Sequence, residues 1–171
     1  MTQPPSSLRS EPLRQPARLR VLLADDNELF AEALTTTLEL DARLEIVGRA
    51  RNGQEAVELA AALHPDVVLM DVDMPVLDGI EATHGVKRVS PPARVLMLTA
   101  SASAEDRAGA LNAGATAYLV KGGSAAELFD TIFCVAATEG SATRPEPPAP
   151  RRALRRQWLA LPTSRGLRAF L

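Results

Sequence analysis

Five short aliphatic runs punctuate the middle of the chain: Leu19–Ala24, Leu44–Val47, Val67–Met70, Val95–Leu98 and Ala117–Val120. They are continuous rather than alternating, the pattern of strands buried on both faces. Each leads into a stretch of helical period, predicting helices over Glu28–Leu40, Gln54–Leu63, Gly79–Val89, Ala104–Ala113 and Ala125–Ala137. In the first of these, Leu29, Phe30, Ala33, Leu34, Thr37 and Leu38 form the expected inner face. Asn52 with Glu55, Ser103 with Asp106 and Ser124 with Glu127 each place a carboxylate three positions after a capping residue. Such pairs satisfy the free amides of a helix N-terminus and suit its dipole. His64-Pro65, Pro91-Pro92 and Gly114 mark helix ends.

Five strands alternating with five helices predict an α/β fold, a doubly wound five-stranded parallel sheet with helices on both faces. Right-handed crossovers favour the strand order 2-1-3-4-5. In such a sheet a ligand site lies beyond the carboxyl ends of the strands, where the strand order reverses.

The flanking segments differ from this centre. Residues 1–17 are rich in Pro, Ser, Gln and Arg without apolar period, and are expected to be disordered. Residues 18–139 form the expected domain, 140–150 a Pro-rich linker, and 151–171 a basic tail. Residues 1–20 carry four arginines and one glutamate, 21–140 eight basic against nineteen acidic residues, and 141–171 seven arginines and one glutamate. The centre is therefore acidic and both ends are basic. A basic tail suits nucleic acid, a membrane surface or a partner protein, and the sequence does not choose among them. Arg151–Leu161 is expected to form a short amphipathic helix with Leu154, Trp158 and Leu161 on one side, or else to be the remnant of a lost output domain.

The lone cysteine, Cys134, excludes a disulfide framework and a cysteine-rich metal site, and reads as a buried helical thiol. No apolar run approaches the ~20 residues that span a membrane, and the N-terminus lacks a signal-peptide core. A cytoplasmic location is the default expectation.

The chemistry gathers at the strand ends. Strand one ends in Asp25-Asp26, strand three in Asp71, strand four in Thr99 and strand five in Lys121. Two carboxylates about 4 Å apart repel by ~4 kcal/mol at an effective dielectric of about 20. Three of them meeting at one sheet edge call for a hard, oxygen-liganded divalent cation, and Mg²⁺ is the expected one. His64 and His84 fall on or after helices, away from that edge, and read as surface residues.

Four stretches in this order carry a resemblance: Val21-Leu22-Leu23-Ala24-Asp25-Asp26-Asn27, then Met70-Asp71-Val72-Asp73-Met74-Pro75 with Asp78-Gly79, then Leu98-Thr99-Ala100, then Tyr118-Leu119-Val120-Lys121. They resemble the flavodoxin-like receiver domain of two-component response regulators, over about residues 19–138. The wording is most similar to receivers of the NarL/FixJ type. That resemblance implies a phosphoryl group passed from a phosphohistidine on a sensor histidine kinase to Asp71. It implies Mg²⁺ held by Asp26, Asp71 and the backbone carbonyl of Asp73, with Asp25 reaching it mainly through water. Lys121 and Thr99 would contact phosphoryl oxygens. Thr99 and Tyr118 would then switch the surface of helix 4, strand 5 and helix 5, which would meet a downstream protein or a second copy in a homodimer. The side chain of Asp73, and Ser101, would tune the lifetime of the phosphate.

Two departures matter. Gly122 follows Lys121 where many receivers have proline, so a trans bond is expected there. Receivers of this type usually continue into a helix-turn-helix domain, and the 21 residues after the linker are too few for one with its own core, about 60 residues. No intact DNA-binding domain is expected.

Two other readings compete. Met70-Asp71-Val72-Asp73 after an aliphatic strand also resembles the first motif of haloacid-dehalogenase-type phosphatases, with Asp71 as nucleophile and Asp73 as acid/base. That family places its nucleophile near the chain start and a further acidic pair downstream, whereas the acidic pair here lies upstream. A degenerate receiver that binds partners without phosphorylation is the third reading.

Overall fold

A computed structural model of the protein describes residues 18–100 and 104–137. Within them, strands and helices alternate: β1 (Leu19–Ala24), α1 (Glu28–Leu38), β2 (Leu44–Ala50), α2 (Gly53–Leu63), β3 (Val67–Asp71), α3 (Gly79–Val89), β4 (Arg94–Thr99), α4 (Ala104–Asn112), β5 (Ala117–Val120) and α5 (Ala125–Ala137). The strands pair in parallel in the order β2-β1-β3-β4-β5. This is the expected doubly wound sheet, and the reversal of order falls between β1 and β3.

Strand period divides the core into two layers. Leu22, Val68, Met70, Val95 and Met97 face α2, α3 and α4, and pack on Ala56, Ala60, Ala82, Val86 and Ala110. Val21, Leu23, Val67, Leu69, Leu96 and Leu98 face α1 and α5, and pack on Ala31, Leu34, Leu38, Ile132 and Val135. Each large aliphatic side chain so buried contributes roughly 1.5–3 kcal/mol. The first layer depends on small helix residues. A Cβ on Gly85 would lie 2.6 Å from Val57 Cγ2, so α2 and α3 can approach only because position 85 lacks one.

The caps read from sequence are present where they are described. Asn52 Oδ1 accepts from Glu55 N at 2.9 Å, and Ser124 Oγ from Glu127 N at 3.1 Å. His64 closes α2 in the left-handed region, and Gly114 (φ +96°) follows α4. His64 and His84 are exposed. No cis peptide occurs among the described residues, and Gly122 adopts φ +90°.

Several expectations are corrected. Helix α1 stops at Leu38, not Leu40, and its buried side is Ala31, Leu34 and Leu38. Leu29 is 81% exposed, because on the helical wheel it lies about 140° from Leu34; Ala33 is exposed as well. Strand β2 continues through Gly48 and Arg49 to Ala50, with a register shift opposite Val21 and Leu22. Gly48 serves packing there: a Cβ would meet Leu63 Cδ1 at 2.8 Å. Cys134 lies on α5 but is exposed, since Ile132 and Val135 already define the inward side.

Ser101, Ser103 and the segments 1–17, 140–150 and 151–171 lie outside the described residues. Among the described residues, no helix is long and apolar enough to cross a membrane.

Candidate functional site

Each site residue is delivered by a strand end. Asp25 follows β1, and its backbone N–H donates to Ala50 O at 3.0 Å, extending the β1–β2 ladder by one bond. Asp71 is the last residue of β3, opposite Leu98 of β4. Thr99 ends β4 and is buried. Its carbonyl accepts from Lys121 N at 2.6 Å, which fixes where the chain leaves β5 and directs Lys121 across the sheet edge.

The side chains converge. Lys121 Nζ lies 2.7 Å from Asp25 Oδ2 and 2.7 Å from Asp71 Oδ2, so one ammonium bridges carboxylates from two strands. Asp25 and Asp71 are buried whereas Asp26 is exposed, and one carboxylate oxygen from each of the three lies within 4.8 Å of the others. Asp25 Oδ2 is fully buried, and the Lys121 ammonium is its charged neighbour among the described residues. Asp25 Oδ1 accepts from Asn27 N at 2.9 Å, an Asx-type turn that leads into α1.

The electrostatics follow from this crowding. Burial is the largest influence on Asp71 and raises its pKa above the usual carboxylate value. The hydrogen bond and charge of Lys121 oppose that rise, the charge of Asp25 adds to it, and the backbone N–H of Asp73 opposes it. For Lys121, burial works against the charged form, but the hydrogen bonds to Asp25 and Asp71 outweigh it and its pKa is raised. Both groups hold protons more tightly than usual, as expected of a half-buried cluster where one ammonium bridges two carboxylates.

This donor set fits a hard divalent cation. All three ligand candidates are carboxylate oxygens, two are buried, and the positive charge of Lys121 leaves the cluster net negative. The exposed Asp26 keeps one side of the cluster open to solvent. The side chain of Asp73 is exposed and outside the three-carboxylate group, on the connection between β3 and α3. That connection holds Val76 at φ +71°, an unusual conformation for a β-branched residue. Tyr118 is half-buried opposite Met97, on the sheet face that carries the α2–α3–α4 layer. Since Thr99 lies two residues after Met97, it belongs to the same face.

Two features escaped the sequence reading. Asp78 caps α3 by accepting from Glu81 N at 2.8 Å, and the signal was present: a carboxylate follows three positions later. Phe30 lies under Lys121, with Nζ 4.7 Å from the ring centroid, a contact across ninety residues that no local pattern announces.

Comparison with known proteins agrees with this fold. The family model described as the response regulator receiver domain matches residues 21–133. The transcriptional regulatory protein LnrK of Bacillus subtilis is 38% identical over 140 residues, covering 82% of this chain and 62% of LnrK. A protein-glutamate methylesterase/protein-glutamine glutaminase of Halalkalibacterium halodurans is 39% identical over 106 residues, covering 61% of this chain and 31% of that protein. The chain thus spans less than two thirds of these relatives, whose described activities differ. Among solved structures, the signal receiver domain of the response regulator NarL from Mycobacterium tuberculosis superposes with a TM-score of 0.69 at 33% identity, covering 72% of this chain and all of that one. The likeness extends to the fold and to most of the described chain, and the protein belongs to the response regulator receiver domain family.

Proposed function

We propose that this receiver accepts a phosphoryl group on Asp71 from a phosphohistidine of a sensor histidine kinase and relays the change by protein contact. The observation that carries this reading is the bridge of Lys121 between Asp25 and Asp71, with Asp26 beside them. Phosphoryl transfer requires little of a protein beyond positioning and charge neutralisation, and this cluster supplies both. A carboxylate oxygen of Asp71 attacks phosphorus as the P–N bond to the donor imidazole breaks. The electron pair of that bond returns to the imidazole nitrogen. Asp26 and Asp71, with the backbone carbonyl of Asp73 and with Asp25 through water, are the residues that would hold Mg²⁺, which when bound offsets the charge of the phosphoryl oxygens.

Lys121 then transfers its contact from Asp71 to a phosphoryl oxygen, as a point charge on a flexible stem. The hydroxyl of Thr99 donates to another. An acyl phosphate adds about two negative charges at the strand ends. Thr99 is drawn toward them and Tyr118 follows into the space beside it. Tyr118 lines a groove of about 360 Å³ together with Ala104, Arg107, Val120, Gly123 and Glu127. That lining supports a reading in which Tyr118 switches the α4–β5–α5 surface, which serves a downstream protein or a second copy. Asp73, exposed beside the phosphoacceptor, governs the lifetime of the phosphate.

The dehalogenase-type reading is set aside by the family match and by the position of the acidic pair just after β1, upstream of Asp71. A degenerate receiver is disfavoured because Asp25, Asp26, Asp71, Thr99 and Lys121 are all in place. Intact-mass analysis after acetyl phosphate treatment tests the proposal. One base-labile phosphoryl group is expected on the wild type with Mg²⁺, and none without Mg²⁺ or on Asp71→Asn. Equal labelling of Asp71→Asn would overturn it.

A further inference from the structure

We propose that Phe30 is a positioning residue for Lys121, its ring holding the ammonium at the site while that ammonium changes oxygen partners. The inference rests on Asp71 being the phosphoacceptor, as proposed above. An ammonium has three N–H donors. Asp25 and Asp71 account for two at 2.7 Å each, and among the described residues the third group at Lys121 Nζ is the Phe30 ring, 4.7 Å away. At that separation the ring face attracts the cation through its quadrupole.

The ring is held from the same carboxylate that holds the ammonium. Asp25 Oδ1 accepts from Asn27 N at 2.9 Å, and Asn27 Oδ1 accepts from Phe30 N at 3.1 Å, the N-cap of α1. Phe30 meets Lys121, and Lys121 returns to Asp25 Oδ2. The circuit is closed, so the first turn of α1 and the end of β5 are set in register around Asp25. Phe30 is half-buried and borders the same groove, of about 200 Å³, as Leu34, Leu119 and Lys121.

Phosphoryl transfer makes two demands on Lys121: to release an oxygen of Asp71 so that it can attack, and to meet an incoming phosphoryl oxygen. A third carboxylate at the ammonium would compete with the phosphoryl group. Bulk water would let the flexible stem swing away. An aromatic face does neither, because it attracts the cation without neutralising it.

The test measures the rate of Asp71 phosphorylation by acetyl phosphate with Mg²⁺ in the full chain. The variants are Phe30→Leu, Phe30→Tyr and phenylalanine analogues with one, two or three ring fluorines at position 30. Fluorines weaken the ring face stepwise with little change in shape. Expected are a rate about fivefold lower for Phe30→Leu, near wild type for Phe30→Tyr, and a logarithmic decline with each added fluorine. Thermal melts identify any variant that has lost its fold. The Lys121 Hε protons, followed by NMR, should show a ring-current shift that Phe30→Leu abolishes. A Phe30→Leu rate equal to wild type, or equal rates across the fluorinated series, would overturn the positioning role. If wild type itself takes up no phosphoryl group, the phosphoacceptor reading fails, and this role with it. If wild type is labelled and the variants match it, the role of Phe30 fails alone.

Discussion

Gly79 lies directly against the carbonyl of Asp71: a Cβ at position 79 would overlap the Asp71 carbonyl oxygen, and would crowd Val72 Cα at 3.1 Å. The Gly79 N–H also donates to Val72 O at 2.9 Å, closing the connection from β3 to α3. The neighbours are backbone atoms at the end of a buried strand and cannot swing aside as a side chain would. Gly79→Ala should therefore cost about 3 kcal/mol, at the upper end for overpacking, and lower Tm by roughly 10 °C. A thermal melt of the variant checks this, and an unchanged Tm would contradict the close approach.

Asp71 itself weakens the fold at neutral pH. Burial raises its pKa in the folded state above the unfolded value. In the window between those two values the native state binds more protons, so stability falls as pH rises, and the cost is fully present above the folded pKa. Asp71→Asn removes a charge whose burial outweighs its attraction to Lys121, and should raise Tm at pH 7 in EDTA. The gain should shrink as pH drops through the folded pKa and the wild-type carboxyl takes up its proton. Paired melts between pH 4 and pH 8 (about the ordinary carboxylate range and above) decide it; a gain that grows on acidification would be the wrong sign.

Mg²⁺ should stabilise the wild type, because the cluster is net negative and a cation that binds only the folded state adds RT ln(1 + [L]/Kd). At a hundredfold excess over Kd that is about 2.7 kcal/mol. Asp26 is exposed, so Asp26→Ala should leave the metal-free Tm within about 2 °C of wild type and remove most of the Mg²⁺-dependent rise. Melts with EDTA and with Mg²⁺ separate the two effects.

Asp41 and Arg43 make a second, smaller electrostatic feature in the turn between α1 and β2. Arg43 Nη2 lies 2.6 Å from Asp41 Oδ2, and the guanidinium sits 3.9 Å over the Phe133 ring of α5. The hydrogen bonds from Arg43 lower the Asp41 pKa from 3.8 to about 2. Because the shift is downward, the contribution of this group is present above the unfolded pKa and is lost as pH falls toward 2. Carboxyl NMR should find Asp41 titrating near that value in the wild type, and Arg43→Ala should return it toward 3.8.

Much of the molecule was legible without coordinates because the signals were local. The bounds of β1, α3, β5 and α5 follow from aliphatic runs and helical period, and the caps at Asn52 and Ser124 from a carboxylate three positions on. The inner face of α1 was less legible. Its apolar residues spread round most of the helix, and only packing on the sheet selects Ala31, Leu34 and Leu38 over Leu29. Cys134 failed for the same reason. The second aliphatic run stops at Val47, whereas β2 continues through Gly48 to Ala50, with Leu63 packed where a side chain at position 48 would lie.

By itself, the order of residues determined the alternation of elements, the sheet they must form, and the strand ends at which Asp25, Asp26, Asp71, Thr99 and Lys121 stand. These depend on periodicity, capping and the handedness of crossovers, which act over a few residues or follow from chirality. Tertiary structure alone decided that Lys121 bridges Asp25 and Asp71 and rests on Phe30. Those contacts join residues fifty to nearly a hundred positions apart, and their geometry is set by how strands and helices pack rather than by any pattern along the chain.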